Sequence, residues 1–430
     1  MAGSSGSRSN RRAGPSAHQP YEPLDLRPFS IARLPAIRFG AGRSVELAVV
    51  ARSFGDRALV LVRPGFDETA DWTRLEAGLA AAQLEIQVDT VTDEPSPELV
   101  DGIVAKIREP RPPDVVIGIG GGSVLDAAKA VAGLARPGNS IMDHLEGIGP
   151  GRPYQGPAIP FVALPTTAGT GSEATKNAVI SSRGPSGFKK SFRDDRLVAQ
   201  VAIVDPDLLA SAPPALVASN GMDALTQLLE SYTSSRANPF TDALAISGLA
   251  AVRDGLLCWF EEAKAGHGAE PAGSQAALAR ERMAYAALCS GICLAQAGLG
   301  AVHGLASPLG AQHPIPHGAA CGATLAAATR INIAAIEGRE PENGALERYA
   351  DAGRVLGAAG PGASDEDARS GLVALLEYCR NRLEVGRLST FGLTEASIPA
   401  ILADSRGSSM RTNPIELTDD EIAAILRDSM

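Results

Sequence analysis

The chain has 430 residues, 45% of them hydrophobic and 20% charged, with a formal net charge of −10. That length suits two domains with separate cores, and the composition is that of an ordinary globular chain. The acidic balance argues against a nucleic-acid partner, and no apolar run approaching the ~20 residues of a bilayer span stands out, so no membrane partner is expected either.

Residues 1–26 are rich in Ser, Gly, Arg and Pro and lack an apolar stretch. They read as a disordered tail rather than a secretory signal, with Arg8, Arg11 and Arg12 offering at most an acidic-surface contact. From 27 to 207 strands and helices alternate. Strands are predicted at 37–39, at 57–62 (closed by Arg63, Pro64 and Gly65) and at 85–88, with helices at 72–82 and 97–107. A strand over 114–117 enters the run Gly118-Ile119-Gly120-Gly121-Gly122-Ser123, and a helix follows over 124–134. A strand at 161–164 leads into a threonine-rich turn, Lys189 and Lys190 lie on a polar segment, and 201–204 closes the sheet. Such alternation is the mark of a parallel α/β layer. Beyond 207 it stops. Residues 208–430 read as an all-helical domain, with helices near 215–234, 238–264, 274–297, 299–311, 317–335, 344–357, 364–383, 394–403 and 418–428, and a flexible connection from Gly266 to Gly273.

Two turns in the first domain suit a ligand. Gly120, Gly121, Gly122 and Ser123 stand between a strand and a helix, where bare backbone and a helix N-terminus make a phosphate seat. This is not the Rossmann G-x-G-x-x-G pattern, because Ser123 holds the sixth position; the bland alternative is a tight turn holding nothing. Thr166, Thr167, Thr170 and Ser172 follow a strand's C-terminal end, the place where open α/β sheets bind ligands, unless their hydroxyls only satisfy their own turn.

In the helical half, His303, His313 and His317 account for three of the six histidines in the chain. Asp223 and Gln227 lie four apart, on one helical face. One carboxylate and two imidazoles suit a divalent metal with an open position for substrate. Singly, each has a duller reading: a helix acid favoured by the dipole, a core histidine, a turn cap. Cys258, Cys289, Cys293, Cys321 and Cys379 are odd in number and mostly in apolar settings, which points to buried free thiols and a cytoplasmic protein. Cys289 and Cys293 have no matching second pair and are not read as a zinc site.

Taken together and in this order, the glycine turn, the threonine turn, Asp205-Pro206-Asp207-Leu208, the Asp223 helix and the His303–His317 block resemble the iron-containing (group III) alcohol dehydrogenases over roughly residues 30–430. The resemblance implies a dehydroquinate synthase-like fold, with a nucleotide-binding α/β domain, a helical domain and the active site in the cleft between them. By position it implies that Gly120, Gly121, Gly122 and Ser123 hold a dinucleotide pyrophosphate. Thr166, Thr167 and Thr170 would contact phosphate and ribose, and Lys189 the nicotinamide ribose. Asp223, Gln227, His303 and His317 take the metal positions, for Fe or Zn. Two departures stand out: Gln227 replaces the usual His, and Ser307 replaces a further active-site His, leaving His303, His317 and Ser307 as the catalytic candidates. Arg63 stands where relatives that prefer NAD carry an acid, which favours NADP. The implied reaction is hydride transfer between NAD(P)H and a small carbonyl or alcohol, by a homodimer. The alternatives are a metal-independent C=C reductase like the maleylacetate reductases and a cofactor-binding pseudoenzyme.

Overall fold

The computed structural model describes residue 26 and residues 28–182, 187–266 and 273–430. The tail at 1–25, with its arginines, and most of the 266–273 connection lie outside the described residues. Eight strands and four helices make up the first part: β1 (Ala36–Phe39), α1 (Leu47–Arg52), β2 (Arg57–Val62), α2 (Ala70–Ala81), β3 (Glu85–Thr90), α3 (Pro97–Ile107), β4 (Val115–Gly120), α4 (Gly122–Leu134), β5 (Phe161–Pro165), β6 (Asn177–Ser182), β7 (Phe188–Arg193) and β8 (Val201–Val204). Six of the strands form a parallel sheet in the order β1-β8-β5-β4-β2-β3. Along β2, Ala58, Val60 and Val62 pack on the α1–α2 side, and Leu59 and Leu61 on the α3–α4 side. A sheet covered on both faces reads as a continuous apolar run, which is why 57–62 announces itself in the sequence.

The second part holds nine α-helices among the described residues: α5 (Pro214–Thr233), α6 (Pro239–Lys264), α7 (Gln275–Ala297), α8 (Ala301–Gln312), α9 (His317–Arg339), α10 (Ala345–Val355), α11 (Asp365–Arg382), α12 (Ile398–Asp404) and α13 (Asp419–Asp428). They share one apolar core. The last strand ends at Val204 and α5 begins at Pro214.

The polar segment that carries Lys189 and Lys190 is a strand: β6 and β7 pair antiparallel. The run Phe188-Lys189-Lys190-Ser191-Phe192-Arg193 is too polar to read as one, and Ala178, Ile180 and Phe192 of the pair bury themselves in the core against α4. One expectation is corrected: α6 and α9 are long and apolar enough, by length and composition alone, to cross a membrane, although α9 is 83% buried within the protein over its apolar window. The helix after β4 starts at Gly122, two residues before the predicted 124.

Residues 166–175 are the joint between the halves. On one side Lys129, fully buried on α4, donates to Ser172 O (2.9 Å), Thr175 Oγ1 (3.0 Å) and Asn177 O (2.6 Å). Asp126, one turn earlier on α4, accepts from the Ser172 hydroxyl and from Val179 N (3.0 Å). On the other side Gly171, at φ +59°, lies so close to Ala287 and Gly291 of α7 that a Cβ would meet their backbone at 2.5 Å. Asp126 and Lys129 thus tie the loop and the hairpin to α4, a role that their place in a good helix-forming stretch conceals.

Glu173 is buried in this joint, and burial pushes its carboxyl up to about 7 from an ordinary 4.5, against the lowering pull of a backbone N–H and Lys129. The folded chain therefore keeps a proton that the unfolded chain has released, and stability declines from pH 4.5 to about 7. Glu173→Gln should match the parent at about pH 4 and exceed it by roughly 3 kcal/mol at about pH 8, read by urea unfolding. A difference that does not change with pH would refute this.

Candidate active site

α5 is buried along most of its length, so each polar side chain it carries inward needs a partner. Asp223, Gln227 and Glu230 fall at i, i+4 and i+7, forming one buried polar stripe. Facing it is α8, which leaves α7 at a 100° bend and so turns His303 toward α5. Glu230 meets the N-terminus of α8: one carboxylate oxygen accepts from Val302 N (2.6 Å), the other contacts His303 Nδ1 at 2.7 Å. The oxygen at His303 Nδ1 makes that nitrogen the protonated one, and Nε2 is left to face Asp223 Oδ1 at 3.2 Å. His317, the first residue of α9, brings its Nε2 within 3.7 Å of the same oxygen.

Cys321 follows His317 by four residues, one turn along α9. Its Sγ lies 3.8 Å from His303 Nε2 and 4.0 Å from His317 Nε2. The ligand atoms of Asp223, His303, His317 and Cys321 all fall within 4.8 Å of one another. With His303 neutral, a carboxylate oxygen and two imidazole nitrogens present lone pairs to one space, so a proton or a cation must lie between them. The donor chemistry fits a divalent metal. Gln227 is turned differently. Its Oε1 accepts from the Ser290 hydroxyl (2.9 Å), and its amide also hydrogen-bonds the Asp223 carboxylate.

Burial dominates the electrostatics. It pushes the His317 imidazole down to about 4, and Lys189 and His303 add to the fall while Asp223 and Glu94 oppose it. Burial alone would raise Asp223, but the neighbouring imidazoles outweigh it and hold the carboxyl below its ordinary range. His303 is held well above its ordinary value, because Cys321, Asp223 and Glu230 overcome its burial.

The cofactor candidates gather at the C-terminal end of the sheet. Gly121 and Gly122 pack against Thr167 and Thr170 so closely that a Cβ on Gly122 would lie 2.9 Å from Thr170 Oγ1. Thr166 N donates to Gly120 O (3.0 Å), joining the two motifs by backbone as well. No side chain caps α4 and no acid stands in its first turn; Gly121, Gly122 and Ser123 are its partly exposed end, while everything from Val124 to Leu134 is buried. Arg63 follows Val62, whose partner in the sheet is Ile119, so it stands at the same end, with its guanidinium 5.6 Å from the Phe66 ring centroid. Lys189 is paired with Glu94 at 2.5 Å, and that pair's charges reach His317. The hairpin therefore brings the α/β half up to the His cluster.

Asp223, His303 and His317 are thus brought together, whereas Ser307 is exposed one turn beyond His303 and His313 caps the end of α8. Glu230, Cys321 and Glu94 were not singled out in the sequence. The stripe at 223, 227 and 230 pointed to the first, and the i,i+4 spacing from His317 to the second; nothing in the sequence links Glu94 to Lys189.

Residues 35–206 match the family described as "Iron-containing alcohol dehydrogenase", and residues 217–430 match "Fe-containing alcohol dehydrogenase family, C-terminal". The 1,3-propanediol dehydrogenase of Klebsiella pneumoniae is 33% identical over 379 residues, 86% of this chain and 89% of the relative. Among solved structures, a 1,3-propanediol oxidoreductase superposes with a TM-score of 0.82 at 27% identity, covering 94% of this chain and all of that one. A sulfoacetaldehyde reductase from Bifidobacterium kashiwanohense, solved with NAD+, gives 0.77 at 30% identity over 94% and 99% of the two chains. The chain belongs to the iron-containing alcohol dehydrogenase family. Its activity is that of an alcohol dehydrogenase, an oxidoreductase.

Glu230 touches the cluster only through His303 and the α8 N-terminus. Glu230→Gln should weaken divalent-metal affinity by about 10–100-fold, measured by competition with a chelator, while helix content by circular dichroism is retained. Unchanged affinity would show that it does not position His303.

Proposed function

We propose that this chain oxidises small alcohols and reduces the matching aldehydes or ketones with NAD(P), using a divalent metal held by Asp223, His303 and His317. The observation that carries the reading is the meeting of two imidazole Nε2 atoms, from His303 and His317, within 3.7 Å of Asp223 Oδ1. When bound, the dinucleotide supplies or accepts the hydride and the cation supplies positive charge for the oxygen on which charge develops. The residues of the chain do the rest. Backbone N–H groups at Gly122 and Ser123 receive the pyrophosphate, and Thr166, Thr167 and Thr170 bound the space beside it. Lys189, locked to Glu94, offers an ammonium of fixed position to the nicotinamide ribose. Glu230 keeps His303 in one tautomer, so that its Nε2 stays available to the cluster. Ser307, a turn beyond, offers substrate a hydroxyl, which relays protons less well than an imidazole.

Arg63 supports NADP over NAD, since a guanidinium pairs with a 2′-phosphate. A dicarboxylate substrate, as C=C reduction of maleylacetate would require, is poorly served by surroundings that include Asp223, Glu230 and Glu94, with Lys189 already paired. Exposed Phe29, Ile31 and Ile37 lie in and just before the edge strand β1, which supports a homodimer. Five free thiols support a reducing, cytoplasmic setting.

Two measurements test this reading. Purified chain should carry about one divalent ion and oxidise short alcohols, and Asp223→Ala should lose the ion and at least ~10³-fold in kcat/KM; full turnover without an ion would end the metal-assisted mechanism. Arg63→Asp should lower the ratio of kcat/KM for NADPH to that for NADH by roughly 10–100-fold. An unmoved ratio would remove Arg63 from cofactor choice.

A further inference from the structure

We infer that Cys321 is the fourth donor of the metal centre, completing an Asp–His–His–Cys set in the place that Gln227 leaves empty, and that this set selects zinc over iron. The inference rests on the metal-assisted reading above and adds a ligand to it. Gln227 is turned to another partner: its carbonyl oxygen lies 2.9 Å from the Ser290 hydroxyl.

Cys321 meets the requirements that Gln227 fails. It is fully buried, it shares α9 with His317 at a spacing of one turn, and it approaches both imidazole Nε2 atoms. A tetrahedral zinc with bonds of ~2.0–2.3 Å has donor–donor edges of roughly 3.3–3.6 Å. Four of the six edges are 3.2, 3.7, 3.8 and 4.0 Å and all lie within 4.8 Å, so side-chain movements of about an ångström or less close the set. Thiolate is a soft donor and shifts preference from Fe(II), which favours imidazole and carboxylate, toward Zn(II). Binding would release the thiol proton to solvent, with no change in oxidation state. The other cysteines do not reach the cluster: Cys293 donates to Thr241 O (3.4 Å), and Cys379 sits on α11.

Cobalt(II) reconstitution of the full chain reads the ligand directly. The parent should show d–d absorption together with thiolate-to-cobalt charge transfer in the near ultraviolet. Cys321→Ala and Cys321→Asp should lose the charge-transfer band, Cys379→Ser should keep it, and Cys321→Asp, with an oxygen donor, should still take up cobalt. Zinc affinity of Cys321→Ala should fall by roughly 10²-fold, and the parent should take up zinc in preference to Fe(II) in anaerobic competition. A parent that binds cobalt without the thiolate band overturns the inference and leaves the dehydrogenase reading standing. A parent that binds no divalent ion overturns both the inference and the metal-assisted mechanism.

Discussion

Asp223 and His303 face each other across 3.2 Å inside the helical half, and the polar groups around them are arranged to make that tolerable. Four carboxylate or imidazole groups, Asp223 and Glu230 on α5, His303 on α8 and His317 on α9, leave much of their water together. Each must recover what hydration gave it. Glu230 recovers two N–H donors from the start of α8, one of them His303 itself, and a negative charge there also meets the positive end of the helix dipole. Asp223 recovers an amide from Gln227 and the two imidazoles. The arrangement holds together only with a positive charge at its centre, supplied by a proton on His303 or by a cation.

The same constraint reaches the cofactor side through the loop at 166–175. That loop is clamped from α4 by Asp126 and Lys129 and from the helical half by α7, while Ser290 bonds Gln227 and lies 3.3 Å from Gly169 O. A single serine hydroxyl thus stands between the amide that orients Asp223 and the loop that packs on Gly121 and Gly122. Small residues make this possible. Gly169 lies so close to Asn220, three residues before Asp223, that a Cβ would approach the asparagine Cβ to 2.7 Å. The spacing between the glycine turn and the Asp223 helix is accordingly set by backbone contacts rather than by long side chains.

Much of this was readable in advance, and the failures have causes. The division near 207 and the nine helices follow from apolar periodicity and from Pro and Gly at their ends, signals that survive because each helix buries a face in one core. Asp223, His303 and His317 each had a duller reading taken singly, and only their order, matched to a family pattern, set them apart. Glu230 and Cys321 escaped because an acid and a small apolar thiol are unremarkable on helices until the partner helix is known. The hairpin β6–β7 escaped because its strands are short and polar at most positions, and its contacts with α4, Asp126 accepting from Val179 N and Lys129 donating to Asn177 O, come from a helix distant in sequence.

Gln227 shows how a departure from a family pattern is better read than as a loss. An imidazole at that position would point a lone pair into the cluster; the amide instead divides its two ends, oxygen to Ser290 and N–H to Asp223. It therefore exchanges a ligand for a brace. That exchange would leave three donors around a cation were α9 not to carry a thiol one turn past His317, on the face turned toward His303. On that inference the thiol takes the place that an imidazole at 227 would hold, since a thiol beside a third imidazole would crowd donors that already lie within 4.8 Å of one another.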